Sequence, residues 1–321
     1  MRIRQEVQTL PRPGRLTIRP ALEAYTCRAE ALANLREVFE LSGIENPARE
    51  ARLSICAASG VSQVALIAAP REPLGSAASR VREFAERRVA GEPLSRIVGT
   101  REFWGLTLAI SSLVLDPRPE TESIVEVALA IFADRHNESL RILDLGVGSG
   151  ALICALLTEF ANARGVGVDI SIDAADVARA NLDVCGLSTR AEVRVEDWTT
   201  NVEGPFDLIV SNPPYIRTAD LPRLRSEVRD FDPWLALDGG VDGLAAFRRI
   251  LPESRSLLTP RGWLLAELGA GQAADVTAIA RQCGFSDTST YKDLHGFDRV
   301  LAAHPVTAAY RPAPDWDAVY E

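Results

Sequence analysis

The sequence predicts an α/β fold in which a mostly parallel sheet carries helices on both faces and is preceded by a small helical domain. Three observations carry that expectation. Beyond Ser123, short apolar runs alternate with helix-period segments, the pattern of strands joined by crossover helices. A buried-type strand, Ile142 to Leu145, runs into Gly146, Gly148 and Gly150 and then directly into a helical pattern. Upstream, residues 29–90 hold apolar side chains at helical spacing, separated by Gly43, Gly60 and Pro70.

Residues 1–27 contain Arg and three prolines (Pro11, Pro13, Pro20) without sustained periodicity, and read as a loosely docked N-terminal extension. Helices are expected over 29–41, 47–59, 61–69 and 76–90, giving a helical domain over 28–101 that Gly91-Glu92-Pro93 closes. Leu106–Ile110 and Val114–Leu115 read as two short strands of a hairpin linker over 102–122. The main domain then spans 123–304. Its expected elements are helix 123–135, strand 141–145, helix 150–160, strand 165–169, helix 172–185 and strands 191–195 and 206–211. A loop rich in Pro, Arg and Asp follows, then helix 243–258, strand 263–268, helix 271–282 and a last strand at 298–301. Residues 305–321 read as a C-terminal tail.

A chain of 321 residues with 47% hydrophobic and 25% charged residues is ordinary for a globular protein, which excludes a disordered chain, a fibre or a disulfide scaffold. The longest apolar run, Leu145–Thr158, is broken by glycines and bounded by Asp144 and Glu159, short of the roughly 18 residues a membrane helix needs. Met1-Arg2-Ile3-Arg4 has no apolar signal stretch behind it, and five unclustered cysteines suit a reducing compartment. The expectation is a soluble cytoplasmic monomer with no membrane association. Sixteen Arg and eleven Glu give residues 1–101 a balance of +5, leaving −14 for residues 102–321 out of a net −9. An acidic body is unsuited to nucleic acid, whose binding draws on phosphate neutralisation. Arg80, Arg82, Arg87 and Arg88, by contrast, suggest a docking patch for a protein partner.

Several motifs carry chemistry. In Gly146-Val147-Gly148-Ser149-Gly150 the glycines allow a sharp turn and close approach of a ligand, and the helix that follows offers free N–H groups. Asp169 ends the next strand, 19 residues after Gly150, where an acid can accept both hydroxyls of a ribose. Those two features point to a nucleoside site but are shared with nicotinamide enzymes. Glu196-Asp197-Trp198 follows the third strand; it reads either as an adenine-binding acid and indole or as a solvated turn. Ser211-Asn212-Pro213-Pro214-Tyr215 ends the fourth strand, at the carboxyl edge where open α/β sheets bind ligands. Two prolines after Asn make a stiff turn without N–H donors. Such a site, rich in acceptors and lacking a strong base, suits a planar N–H₂ group. The Asn212 side-chain oxygen and Pro213 carbonyl would orient its protons, while Tyr215 packs on its face and excludes water. His136, His295 and His304 lie away from these motifs, no Cys/His spacing fits a metal, and there is no Gly-x-Ser-x-Gly elbow.

These residues resemble the HemK/PrmC family, the peptide chain release factor glutamine N5-methyltransferases. Besides Asp144–Gly150, Val168–Ser171, Glu196–Trp198 and Ser211–Ile216, the segments Glu92–Gly99, Arg101–Gly105, Val114–Glu122, Leu235–Gly240 and His295–Val300 are similar to the family's pattern. The resemblance covers roughly residues 30–301. It implies a Rossmann-like, class I S-adenosylmethionine-dependent methyltransferase with a seven-stranded sheet, in which the helical domain recognises the substrate. It implies S-adenosyl-L-methionine as cofactor, S-adenosyl-L-homocysteine as product and no metal. The substrate implied is the glutamine amide in the Gly-Gly-Gln motif of class I release factors. Gly146, Val147, Gly148, Ser149 and Gly150 would wrap the amino-acid part of the cofactor, Asp169 its ribose, and Asp197 and Trp198 its adenine. Asn212, Pro213, Pro214 and Tyr215 would hold the glutamine amide, with Asn212 also bordering the cofactor. Phe103 and the Arg118–Glu122 segment would line the same pocket. Asp116 and Val147 depart from the family's usual residues.

Three rivals remain. Methylation of a ribosomal-protein glutamine would use the same active site. Adenine-N6 methylation of DNA suits Asn-Pro-Pro-Tyr, but only 106 residues follow Tyr215, too few to finish the sheet and add a target-recognition domain. An inactive interaction protein is the third, although every acceptor and cofactor position is filled.

Overall fold

The computed structural model describes residues 22–305, so the expected tail beyond Pro305 and most of the expected extension lie outside the described residues. The chain divides into two compact units between Val98 and Gly99.

The first unit contains α1 (Arg28–Leu41), α2 (Pro47–Ser59), α3 (Gln63–Ala68), α4 (Ala78–Val89) and α5 (Leu94–Val98). Pro47 starts α2, where a missing N–H costs nothing, and Gly60 ends it at φ 71°. The apolar stripes meet in a core of Leu35, Phe39, Ile55, Val81 and Phe84. Leu22, assigned to the loose extension, is fully buried in that core, and Cys27 bridges to Pro73. The sequence pattern predicts no helix at α5, whose five residues hold too little periodicity. The proposed arginine patch is partly spent internally: Arg87 pairs with Glu92 at 2.6 Å and the buried Arg88 with Glu50 at 2.8 Å.

The second unit opens with a hairpin of β1 (Thr100–Phe103) and β2 (Leu106–Ala109). The expected strand at Val114–Leu115 does not form. Leu106–Ala109 instead pairs backward through a two-residue turn in which Trp104 (φ 50°) and Gly105 (φ 70°) both take left-handed conformations, the turn that matches strand twist. After it come α6 (Glu122–Ile131), β3 (Arg141–Leu145), α7 (Ala151–Glu159), β4 (Arg164–Asp169), α8 (Ile172–Val184), β5 (Ala191–Val195) and β6 (Phe206–Ser211). The chain continues with α9 (Ser226–Arg229), α10 (Ala245–Leu257), β7 (Leu258–Glu267), α11 (Ala273–Gln282), β8 (Asp287–Lys292) and β9 (Asp298–His304).

The seven strands β3–β9 form one sheet in the order β5-β4-β3-β6-β7-β9-β8, parallel except that β9 runs antiparallel to both neighbours. The local sequence pattern predicts six of these strands. β8, Asp-Thr-Ser-Thr-Tyr-Lys, is a polar edge strand with no buried residue, so it lacks the alternation that marks a strand. Alternate residues feed two cores. Ile142, Leu208, Val210, Leu265 and Val300 pack on one face with α6 and α7, while Leu143, Leu145, Ile209, Leu264 and Leu301 pack on the other with α10 and α11.

The hairpin is tied to the sheet through Asn181 of α8, which is fully buried. Its carboxamide accepts from Ala109 N–H at 2.7 Å and donates to the carbonyls of Ala109 at 2.9 Å and Ser149 at 2.8 Å. Replacing it with Leu strands three backbone groups. Asn181→Leu is therefore expected to destabilise the protein by about 3 kcal/mol or more in urea unfolding. A loss under about 1 kcal/mol would show that the tie is dispensable.

Candidate active site

Two turns converge at the carboxyl edge of the sheet, where β3 has β4 on one side and β6 on the other. Leu145 aligns with Ser211 across the β3–β6 pair, and the buried Ser211 hydroxyl donates to the Leu145 carbonyl at 2.7 Å. That bond holds the glycine turn after β3 beside Asn212 after β6. Between them opens a cleft of about 440 Å³, whose walls include Asp144, Val147, Asp169, Trp198, Asn212 and Leu235.

The glycine turn is anchored from its backbone. The N–H groups of Gly146 and Val147 both donate to the Val168 carbonyl, at 2.9 and 2.8 Å. Gly148 N–H donates to Asp169 Oδ2 and Ser171 N–H to Asp169 Oδ1, each at 2.9 Å. Asp169 therefore braces the turn as well as facing the cleft. Burial raises its pKa, and the backbone N–H groups of Ser171, Gly148 and Ile170 pull against that shift. Gly150 must be glycine for packing: at φ 82°, a Cβ there would come within 3.2 Å of the Ala178 backbone on α8. The unusual Val147 is accommodated by Gly167 opposite it, where a Cβ would meet the valine methyl at 2.8 Å. Asp116, the other departure, is buried near Arg101 at 3.7 Å, and its N–H donates to Asp232. Trp198 holds φ at 55°, a strained conformation for a bulky residue, and its indole lies against Gly146.

Asp144 has a different surrounding. It is 1% exposed, lines the cleft, and neither carboxylate oxygen has a hydrogen-bond partner. Burial pushes its pKa from the ordinary 3.8 up to about 7; the backbone at Ile153 opposes the shift and the charge of Asp169 adds to it.

Around the Asn212 turn the polar groups are paired. Asn212 Nδ2 donates to Thr121 Oγ1 at 3.1 Å, Thr121 Oγ1 donates to Glu267 Oε2 at 2.6 Å, and Tyr215 Oη donates to Glu267 Oε1 at 2.9 Å. Glu267 ends β7 and is 1% exposed. Burial raises its pKa, with the two hydroxyl donors and Arg299 opposing. The Tyr215 hydroxyl is pushed far up by burial and by the charge of Glu267. Gln272 fastens the backbone after the prolines, donating to the carbonyls of Tyr215 at 3.0 Å and Gly243 at 3.2 Å. Residues 237–239 pair with Ile216 from the other side, which gives a structural role to the Leu-Ala-Leu-Asp-Gly-Gly run.

Of the sequence-predicted site residues, Gly146, Val147, Gly148, Ser149, Asp169, Asp197, Trp198, Asn212 and Pro214 share the cleft wall. Gly150, Pro213 and Tyr215 are not among the residues that line it. Phe103, expected in the pocket, is instead 1% exposed within the apolar core; its strand position in the hairpin turns it inward. From Arg118–Glu122 only Thr121 reaches the wall, while Arg118 pairs with Asp232 and Glu122 accepts from Trp104 N–H. Sequence reasoning assigned no role to Asp144, Glu267 or Gln272. The available signal was a lone acid inside or at the end of an apolar strand, Ile-Leu-Asp-Leu and Trp-Leu-Leu-Ala-Glu. Among the described residues no group of His, Cys, Asp and Glu is arranged to hold a metal ion, and no helix is long and apolar enough to cross a membrane.

Comparison with known proteins gives a consistent set of relatives. The family model of the PrmC N-terminal domain matches residues 30–99, and that of the methyltransferase small domain matches residues 125–223. A release factor glutamine methyltransferase from Bradyrhizobium diazoefficiens is 44% identical over 263 residues, covering 81% of this chain and 89% of the relative. One from Agrobacterium fabrum is 43% identical over 279 residues, covering 86% and 96%. Among solved structures, the hMettl16 catalytic domain in complex with a 3′UTR hairpin superposes with a TM-score of 0.56 at 18% identity, over 72% of this chain and 84% of that one. This last likeness is one of fold.

Asp144 makes stability depend on pH. An acid with a folded pKa above its unfolded value holds its proton more tightly when folded. Its penalty is therefore nil below pH of about 4 and complete above pH of about 7, with a loss of about 4 kcal/mol across that window. Asp144→Asn, neutral throughout, is expected to lack this slope. Urea unfolding of both proteins without cofactor at pH 4 and pH 8 measures it, and parallel changes in the two would refute it.

Proposed function

Because the chain belongs to the release factor glutamine methyltransferase family, we propose that it transfers a methyl group from S-adenosylmethionine to the side-chain amide nitrogen of the glutamine in the Gly-Gly-Gln motif of class I release factors. The observation that carries this reading at the level of residues is Asn212. Its side-chain nitrogen is spent on Thr121, so its oxygen is left to accept from a planar N–H₂ group at the cleft wall.

The residues fit the cofactor. When bound, S-adenosylmethionine supplies a methyl group activated by its sulfonium. The carboxyl group of Asp144, buried at the cleft wall without a hydrogen-bond partner, is suited in its ionised form to the cofactor's ammonium. The Gly146–Gly150 turn offers close backbone approach beside it. Asp169 uses one lone pair of each oxygen on backbone N–H groups and keeps others for ribose hydroxyls. Trp198 and the exposed Asp197 border the adenine side.

At the acceptor end the chain's work is orientation. An amide nitrogen is a poor nucleophile because its lone pair is delocalised. The Asn212 oxygen and the Pro213 carbonyl accept its two N–H protons and turn the lone pair toward the cofactor site, while the rigid Pro213-Pro214 pair keeps those acceptors from moving. Tyr215, held by Glu267 and Gln272, stiffens the turn from behind. In this reading the helical domain over 28–101 recognises the release factor and the enzyme works as a cytoplasmic monomer. No nucleic acid takes part, in keeping with the −14 balance of residues 102–321.

Incubation of a class I release factor with the protein and S-adenosylmethionine, read by mass spectrometry, is expected to add one methyl to the Gly-Gly-Gln glutamine. A methyl found only on a ribosomal-protein or DNA substrate assayed in parallel would overturn the choice of partner. Asn212→Ala is expected to lower turnover by about 100-fold or more with cofactor affinity changed only modestly. Asp169→Ala is expected to weaken cofactor binding, and equal losses of cofactor affinity in both variants would overturn this division of roles.

A further inference from the structure

We infer that Thr121 and Glu267 form a positioning relay that fixes which way round the Asn212 carboxamide faces. This rests on the reading that the Asn212 oxygen holds the acceptor amide. An asparagine side chain is nearly symmetrical in shape, and its two orientations differ in which of O and N–H₂ meets the substrate. Only one of them can accept from an N–H₂ group. A turn built from Asn212-Pro213-Pro214 fixes the backbone, but nothing in that backbone selects the side-chain orientation.

The relay makes the selection by counting protons. Thr121 and Tyr215 each carry a single hydroxyl proton, and both hydroxyls converge on the two oxygens of Glu267, at 2.6 and 2.9 Å. A carboxylate is an acceptor only, so the Thr121 proton is committed to Glu267. Thr121 Oγ1 can then only accept from Asn212, and the group it faces at 3.1 Å must be the N–H₂. Turned over, Asn212 would present an oxygen to an oxygen with no proton between them. All three side chains are buried or half-buried, where an unmatched acceptor pair is costly. Burial raises the Glu267 pKa, while the two hydroxyl donors and the positive charge of Arg299, itself held by Asp293 at 3.0 Å, favour the carboxylate form; it is the geometry of two hydroxyls converging on its two oxygens that makes Glu267 the acceptor. Thr121 and Glu267 touch neither reacting group in this account; they act through Asn212.

Thr121→Val keeps the shape and removes the hydroxyl, while Thr121→Ser keeps the hydroxyl. The expected result is a fall in kcat of about 10- to 30-fold for Thr121→Val, with cofactor affinity and Tm close to native, and recovery of most of the rate in Thr121→Ser. Glu267→Gln cannot accept from both hydroxyls and is expected to lower kcat similarly. The Thr121→Val/Glu267→Gln double variant should fall little further than either alone, the non-additivity of residues acting as one unit. Native kcat in Thr121→Val alongside an inactive Asn212→Ala would overturn the relay and leave the functional reading intact. Full activity in Asn212→Ala would overturn the functional reading itself. A rate loss that follows Tm or cofactor affinity, or that Ser does not relieve, would reduce Thr121 to a structural residue and also overturn the relay.

Discussion

In an open parallel sheet the crossover helices leave one central strand in opposite directions on its two sides, and a crevice opens at that strand's carboxyl end because neither helix covers it. β3 is that strand here, and its pairing with β6 is the constraint on which the site depends. The Leu145–Ser211 alignment and the Ser211 bond to the Leu145 carbonyl set the two turns level at the edge. A one-residue slip of β6 would invert every side chain of the strand and exchange the residues that feed the two cores. The apolar packing of Leu208 and Val210 on one face and Ile209 on the other therefore sets where Asn212 emerges.

Two buried acids near this edge do opposite work. Glu267 is matched inside the protein, accepting a hydrogen bond from each of two hydroxyls, so it serves to orient other groups. Asp144 is unmatched: both of its oxygens are buried and neither makes a hydrogen bond among the described residues. Burial of an unpaired acid is tolerated because it can hold its proton near neutral pH. The same isolation leaves it available to a cationic ligand. Asp169 lies between these cases, bracing the glycine turn with one lone pair of each oxygen while facing the cleft.

Stiffness is concentrated where the two turns meet. Asn181 ties the hairpin and Ser149 to α8, Gln272 and the residue 237–239 strand-like run clasp the chain after Pro214, and Tyr215 is locked at its hydroxyl. Binding and orientation by fixed hydrogen-bonding groups need little reorganisation at the moment of reaction. A site whose proposed chemistry is positioning has its side chains held from behind in this way.

The longer helices of both units, six of the seven sheet strands, the glycine turn and the Asn-Pro-Pro-Tyr turn were legible in the amino-acid sequence, because each depends on spacing within a few residues: apolar period, glycine at a turn, consecutive prolines; the short α5 and α9 were not. The elements it did not announce lack such local signals. β8 is polar and belongs to the sheet only through β9, and β1 pairs with β2 through a Trp-Gly turn whose left-handed tryptophan no propensity foretells. Tertiary structure alone decided that Phe103 packs inward, that Asp144 has no partner, and that the Asn212 nitrogen rather than its oxygen faces Thr121. The bonds that set this orientation join residues 91 and 146 positions apart. Burial and proton commitment arise only when the sheet brings such distant residues together, whereas a turn or a helix is decided by its own neighbours.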